Sequence, residues 1–278
     1  MVSKQQQTIV QQVEIGGIGL HSGLPVQVTL CPAEPDQGRT VWVQWHDGME
    51  VIPAHISAVQ ATQLSTELAG NQARVRTIEH LLSALWGAGV DNVQIRIKSD
   101  QPMVEIPILD GSALPWLDSI ETLGQNRLQN PGKVVTTPVE VHHQGSFVVA
   151  MPSPHLQFTY GIEFADCPIG RQWCSWLPEH IPFREAIAPA RTFTLAKYIE
   201  PMRAQGLIKG GSLENAIVCD DKTWLNPPLR FADEPCRHKL LDLIGDLSLL
   251  GNIPQAHYIA YKASHHLHCQ LAKQLLLL

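Results

Sequence analysis

No CxxC pair occurs among the six cysteines, Cys31, Cys167, Cys174, Cys219, Cys236 and Cys269. Their scatter excludes a cysteine-rich zinc module and argues against a disulfide scaffold, so a reduced interior is expected. No run of 18 apolar residues occurs, and the closing Leu275–Leu278 run is far too short for a spanning helix. Basic charge is not in excess: 20 Lys and Arg against 26 Asp and Glu give a net charge of −6, which argues against a general nucleic-acid binder. The opening MVSKQQQTIV lacks both the apolar stretch of a secretory signal and the Arg-rich pattern of a transit peptide. A cytoplasmic protein is therefore expected. Gly210-Gly211-Ser212 is not followed by the Lys-Ser/Thr of a phosphate loop, and Gly16–Gly23 has no helix after it, so neither is a nucleotide-binding loop. What remains is an ordinary globular composition, 44% hydrophobic and 17% charged over 278 residues, enough for one large or two medium domains.

Along the chain, residues 8–31 read as two strands around a Gly-rich turn, with Val26, Val28 and Leu30 alternating with polar partners. Strands are expected at 41–45 and 93–97. Thr77 is placed to cap a helix through about Trp86, and Ser112 one through Ile120. Gln125–Gly132 is polar, ends in Asn-Pro-Gly and reads as a linker. Beyond it strands are expected near 133–141, 146–151 and 157–164, then a Pro- and Trp-rich irregular insertion at 167–183. Helices fit 192–204 and 236–250, with strand 213–218 between them; strand 257–263 precedes a last helix from about Ser264. The division expected is an N-terminal unit at 1–127 and a C-terminal unit at 132–278. Both halves place strands before a helix that opens on His, HLLSAL at 80–85 and HKLLDL at 238–243, a faint sign of duplication. Strand clusters followed by helices predict an α+β fold rather than a βαβ array.

The segment from Arg237 to Asp246 is the most informative for chemistry. On a helix, residues four apart share a face, so His238 and Asp242 point the same way, with Asp246 one turn on. The residues between them, Leu240, Leu241, Leu243 and Ile244, are apolar. A polar stripe on such a helix needs partners, and a metal ion is one answer. The spacing alone also fits a helix whose His and Asp are merely solvated. In Glu79-His80, the His offers a third ligand through a ring nitrogen and the Glu an adjacent carboxylate, the combination metal-assisted hydrolysis requires. Near the C-terminus, composition does not choose among His265, His266 and His268.

Taken together, GIGLHSG (17–23), TIEHLLSAL (77–85), EIPILDGSA (105–113), ARTF (190–193), GLIKGGSLENAIV (206–218), LRFADEPCRHKLLDLIGDL (229–247) and AYKASH (260–265) resemble the UDP-3-O-acyl-N-acetylglucosamine deacetylases. The segments run in that family's order over nearly the whole chain. The resemblance implies a cytoplasmic metal-dependent amidohydrolase of lipid A synthesis. It would remove acetate from UDP-3-O-(3-hydroxyacyl)-N-acetylglucosamine; an inactive sugar-nucleotide-binding relative is the alternative. It implies one Zn2+ held by His80, His238 and Asp242, a set that iron(II) also suits. Glu79 would be the general base and His265 the second catalytic group. Thr192 would stabilise the oxyanion, and Asp246 would orient His265. Lys239 and Phe193 would line the sugar and acyl region, Phe164 would lie near the uridine and Lys262 near the diphosphate. The implied fold is two similar α+β domains with the site between them and a hydrophobic passage, contributed by an insertion in the second, for the acyl chain. No nucleic acid and no membrane span are implied, and the chain is expected to be a monomer.

Overall fold

In a computed structural model of the chain, described for residues 6–121 and 133–278, strand runs alternate with single helices in two successive halves. The first half runs β1 (Val13–Ile18), β2 (Pro25–Pro32), β3 (Arg39–Trp45), β4 (Gly48–Pro53), β5 (Val59–Ala61), β6 (Glu67–Ala69), β7 (Arg74–Arg76), α1 (Glu79–Gly87), β8 (Val93–Lys98), β9 (Met103–Glu105) and α2 (Leu114–Glu121). The second runs β10 (Val139–His143), β11 (Ser146–Met151), β12 (Gln157–Phe164), β13 (Gly170–Trp176), α3 (Phe183–Ala186), β14 (Phe193–Leu195), α4 (Ala196–Ala204), β15 (Ile217–Cys219), α5 (Glu234–Leu247), β16 (His257–Tyr261) and α6 (His265–Leu276). The fold is α+β. The linker expected at 125–132, and with it the division at 127 and 132, lies outside the described residues.

Each half builds a five-stranded sheet on one plan. The strand orders are β1-β2-β8-β3-β4 and β10-β11-β16-β12-β13. In both, the last strand inserts between two hairpins, antiparallel to the second strand and parallel to the third. The helices that open HLLSAL and HKLLDL occupy matching places, α1 before β8 and α5 before β16. The sign of duplication in the sequence therefore corresponds to a repeated topology. Period-2 alternation sends Val28, Leu30, Val41, Val43, Ile95 and Ile97 to one buried face of the first sheet. Val148, Ala150, Phe158, Tyr160, Tyr258 and Ala260 do the same in the second. Helices α1 and α5 pack against each other. Trp86 of α1 lies edge-on to Phe158 and Trp176 of the second sheet, so one core joins the halves.

Several expectations needed correction. Gly16 and Gly17 lie inside β1; the turn comes later, at Gly19–Leu24. A Cβ on Gly19 would stand 2.3 Å from Ser22 Oγ and 2.6 Å from Glu105 Oε2, so a larger residue there would displace both side chains. Thr77 does not cap α1. Its φ is +58°, and its hydroxyl donates to Glu105 Oε1 at 2.9 Å instead. Stretch 167–183 is not an irregular insertion: Gly170–Trp176 is the edge strand of the second sheet, its proline and tryptophan content hiding an alternating pattern. The helix expected from 192 starts at Ala196, because Phe193–Leu195 pairs in parallel with Ile217–Cys219. Strand 213–218 accordingly shortens, and Ser212–Asn215 is a turn closed by the Asn215 side chain. The strand expected from 133 begins only at Val139.

Candidate active site

Helices α1 and α5 cross at a point where nothing larger than glycine fits. A Cβ on Gly245 would lie 2.2 Å from the backbone oxygen of Glu79. This close approach brings the start of α1 beside the middle of α5. His80 and His238 stand with ring centroids 5.0 Å apart, edge to face. Asp242 Oδ1 is 3.4 Å from His238 Nε2, as the one-turn spacing requires, and 3.6 Å from His80 Nε2. All three side chains are buried and offer ligand atoms within 4.8 Å of one another.

Their hydrogen bonding leaves the facing atoms open. His238 Nδ1 lies 3.1 Å from the Ala190 carbonyl and so carries the proton, which turns the bare Nε2 toward Asp242. Burial lowers His238 to about 3, against the pull of Asp242, so its ring is neutral. Asp242 Oδ1 is buried with no hydrogen-bond partner, while Oδ2 accepts from Lys239 Nζ at 2.6 Å. Burial opposes its ionisation, but His238 and Lys239 outweigh this and hold its carboxyl well below the usual range. Two buried imidazoles and an orphaned buried carboxylate oxygen fit a single divalent ion with an open position.

Glu79 lies beside this set. Its Oε2 accepts the Thr66 N–H at 3.1 Å, and Oε1 stands 3.8 Å from His265 Nε2. Burial pushes its pKa up, opposed by His265 and His80. His265 opens α6, and its Nδ1 is 2.8 Å from Asp246 Oδ2. Burial lowers its pKa, but Asp246 and Glu79 outweigh burial and raise it to about 9, so the ring is charged at neutral pH. Asp246 takes the Thr66 hydroxyl on its other oxygen, and burial is again overcome, by His265 and His268.

Glu79, His80, His238, Asp242 and His265 line a cavity of about 290 Å³. Thr192 and Phe193 form its wall. Arg191 anchors them, its guanidinium bonding the wholly buried Glu234 at the start of α5 (2.8 Å). Phe193 packs edge-on to His238 and to Phe164. Lys239 and Phe164 also line the cavity. Of the residues expected at the site, Asp246 and Lys262 do not: Asp246 lies behind His265, and Lys262 sits on a left-handed backbone (φ +52°), its Nζ 3.5 Å from Glu163. A second, more apolar cavity of about 440 Å³ shares Leu20, Leu64, Thr192, Phe193 and Thr194 with the first. It continues between Ile199 and Met202 of α4 and Leu213, Ala216 and Val218 around β15. This apolar cavity is walled by β14, α4 and β15, and no residue of 167–183 lines it.

Sequence reasoning missed Leu20, Leu64 and Tyr198, which line these cavities, and Thr66, Tyr160 and His268 behind them. Only GIGLHSG gave a signal for Leu20. Thr66 and Tyr160 carry no local motif, being brought in by tertiary pairing.

Two buried imidazoles and a buried carboxylate beside a glutamate, in an α+β chain, are compatible with the metal site of a hydrolase. No helix among the described residues is long and apolar enough to cross a membrane. The model for UDP-3-O-acyl N-acetylglycosamine deacetylase matches residues 6–277, and the chain belongs to that family. It is 52% identical to the UDP-3-O-acyl-N-acetylglucosamine deacetylase of Thermosynechococcus vestitus, over 98% of this chain and 94% of that one. The deacetylase of Synechocystis sp. is 49% identical over 96% and 97%. A relative from Arabidopsis thaliana, named as a probable mitochondrial deacetylase of the same kind, is 47% identical over 97% and 87%.

Proposed function

We propose that the protein hydrolyses the N-acetyl group of UDP-3-O-(3-hydroxyacyl)-N-acetylglucosamine, giving UDP-3-O-acyl-glucosamine and acetate, the committed step of lipid A synthesis. One observation carries this reading: the buried set around Glu79 and His265 lines a cavity that shares Leu20, Leu64, Thr192, Phe193 and Thr194 with a second one walled largely by apolar side chains. An amide beside a fatty acyl ester needs that juxtaposition. His80, His238 and Asp242 would hold one Zn2+ or iron(II), which when bound acts as a Lewis acid and makes water acidic enough to attack near neutral pH.

The chain's own residues divide the remaining work. Glu79 takes the proton of the attacking water on Oε1, its raised pKa suiting a base that must release it again. His265, protonated on Nε2, and the Thr192 hydroxyl hold the oxyanion that develops on the acetyl carbonyl. Asp246 keeps the His265 proton on Nδ1 and fixes the ring. The leaving amine takes its proton from the Glu79–His265 pair. Lys239 and Phe193 border the sugar, with Phe164 toward the uridine. Lys262, on the outer side with Glu163, would meet the diphosphate. The acyl chain would lie along α4, where each buried methylene adds about 0.8 kcal/mol to binding. Units at 1–127 and 132–278, a monomer and a cytoplasmic setting complete the reading.

The test is metal content together with acetate release, for wild type and His238→Ala. One metal per chain in wild type, with metal and activity lost together in the variant, is expected. Bound metal without acetate release would transfer the site to another amide. A folded wild type with neither would leave a sugar-nucleotide-binding relative.

A further inference from the structure

His268 is completely buried on α6, one turn beyond His265, on a face otherwise given to Leu267, Leu271 and Leu275. An imidazole there costs free energy unless both nitrogens are satisfied. Both have a partner within reach. Nδ1 lies 2.8 Å from Asp246 Oδ2, the same oxygen that His265 Nδ1 approaches at 2.8 Å. A carboxylate can only accept, so both imidazoles carry their protons on Nδ1. Nε2 lies 3.0 Å from the hydroxyl of Tyr160, itself wholly buried, whose single proton has two acceptors within reach, Nε2 and the Ala263 carbonyl at 2.8 Å. Tyr160 therefore ties His268 to the segment that leads into His265. With the Thr66 hydroxyl on Oδ1, Asp246 is held from three directions and has one orientation open to it.

We propose that His268 is a positioning residue of the reaction: with Tyr160 it fixes the Asp246 carboxylate, and through it the direction of His265. This rests on the function assigned above to His265 and Asp246. His268 touches no substrate. Its contribution is to exclude the alternative rotamers of Asp246 in which one histidine would lose its acceptor. Asn at this position keeps an N–H donor near the place of Nδ1, whereas Leu keeps the bulk and no donor.

The experiment compares His268→Asn, His268→Leu and Tyr160→Phe in the full-length metal-loaded protein. His268→Leu is expected to lower kcat by about tenfold or more with KM nearly unchanged, the scale of a lost group behind a catalytic residue. His268→Asn should recover most of that loss, and Tyr160→Phe should fall between. On an Asp246→Asn background, His268→Leu should cost little further, because the carboxylate it orients is gone. Equal losses in the Asn and Leu variants, or an undiminished loss on that background, would overturn the proposal in favour of simple packing. Nitrogen-15 spectra of the histidines give a readout independent of turnover. A downfield His265 Nδ1–H signal should persist in His268→Asn and be shifted or lost in His268→Leu. If wild type releases no acetate, the functional reading fails, and these spectra alone decide whether His268 orients Asp246; a signal unchanged in both variants would end the proposal.

Discussion

At Glu79, burial and function pull in opposite directions. The buried carboxyl is costly to ionise, yet a base must be ionised to act. Its folded pKa is raised, so the folded state binds a proton more tightly than the unfolded one, and stability falls as pH rises past the ordinary carboxylate range. Glu79→Gln should accordingly melt at the same temperature as wild type or higher at neutral pH without metal, while kcat falls by about 100-fold or more. A melt lower by several degrees would show that the carboxylate is structural. His265 has a pH dependence of the same sign, in a higher window. Its pKa is raised to about 9, so its stabilising contribution is complete below its ordinary value of 6.5 and disappears as pH rises through about 9. The rate should follow: a pH profile of kcat/KM is expected to have an alkaline limb near 9, absent from the residual activity of His265→Ala. An acidic limb should mark protonation of Glu79.

At the scale of elements, the crossing of α1 and α5 sets the geometry of the site. Gly245→Ala would drive a methyl group into the Glu79 backbone, and we expect a loss of about 1–3 kcal/mol in urea unfolding, with activity reduced further than stability. The second element of consequence is β14–α4–β15. Ala216→Phe should narrow the apolar cavity, lowering kcat/KM for a long acyl chain by about tenfold or more relative to a short one; equal effects on both would place the chain elsewhere. Both central helices were legible in the sequence, α1 from its leucine-rich run and α5 from apolar residues around the His238–Asp242 pair. Strands with strict alternation, such as Val93–Ile97, were equally plain. The three-residue strands β5, β6, β7 and β9 were not, because so short a run has no period to detect. Nor was β14, whose strand state depends on a partner 24 residues away. In the site, His80, His238 and Asp242 were readable from spacing and resemblance. Choosing His265 over its neighbours required the resemblance, and the orientation of His268 toward Asp246 required the fold.

On the scale of the whole molecule, two copies of one sheet plan meet through α1 and α5. Trp86 is the main apolar tie across that meeting, and Trp86→Ala should cost about 3–5 kcal/mol in unfolding free energy, read as a lower urea midpoint. Duplication was faintly visible in two leucine-rich helices, but strand order was not. Insertion of the last strand between two hairpins leaves no trace in local periodicity. The copies have also diverged where it matters: one supplies Glu79 and His80, the other His238 and Asp242. An ion bound by that set takes a ligand from each helix, so its affinity and the cohesion of the two halves are linked. By reciprocity, the factor by which docking of α1 on α5 strengthens ion binding is the factor by which a bound ion strengthens that docking, so a chelator should loosen the contact between the halves even though it touches neither sheet.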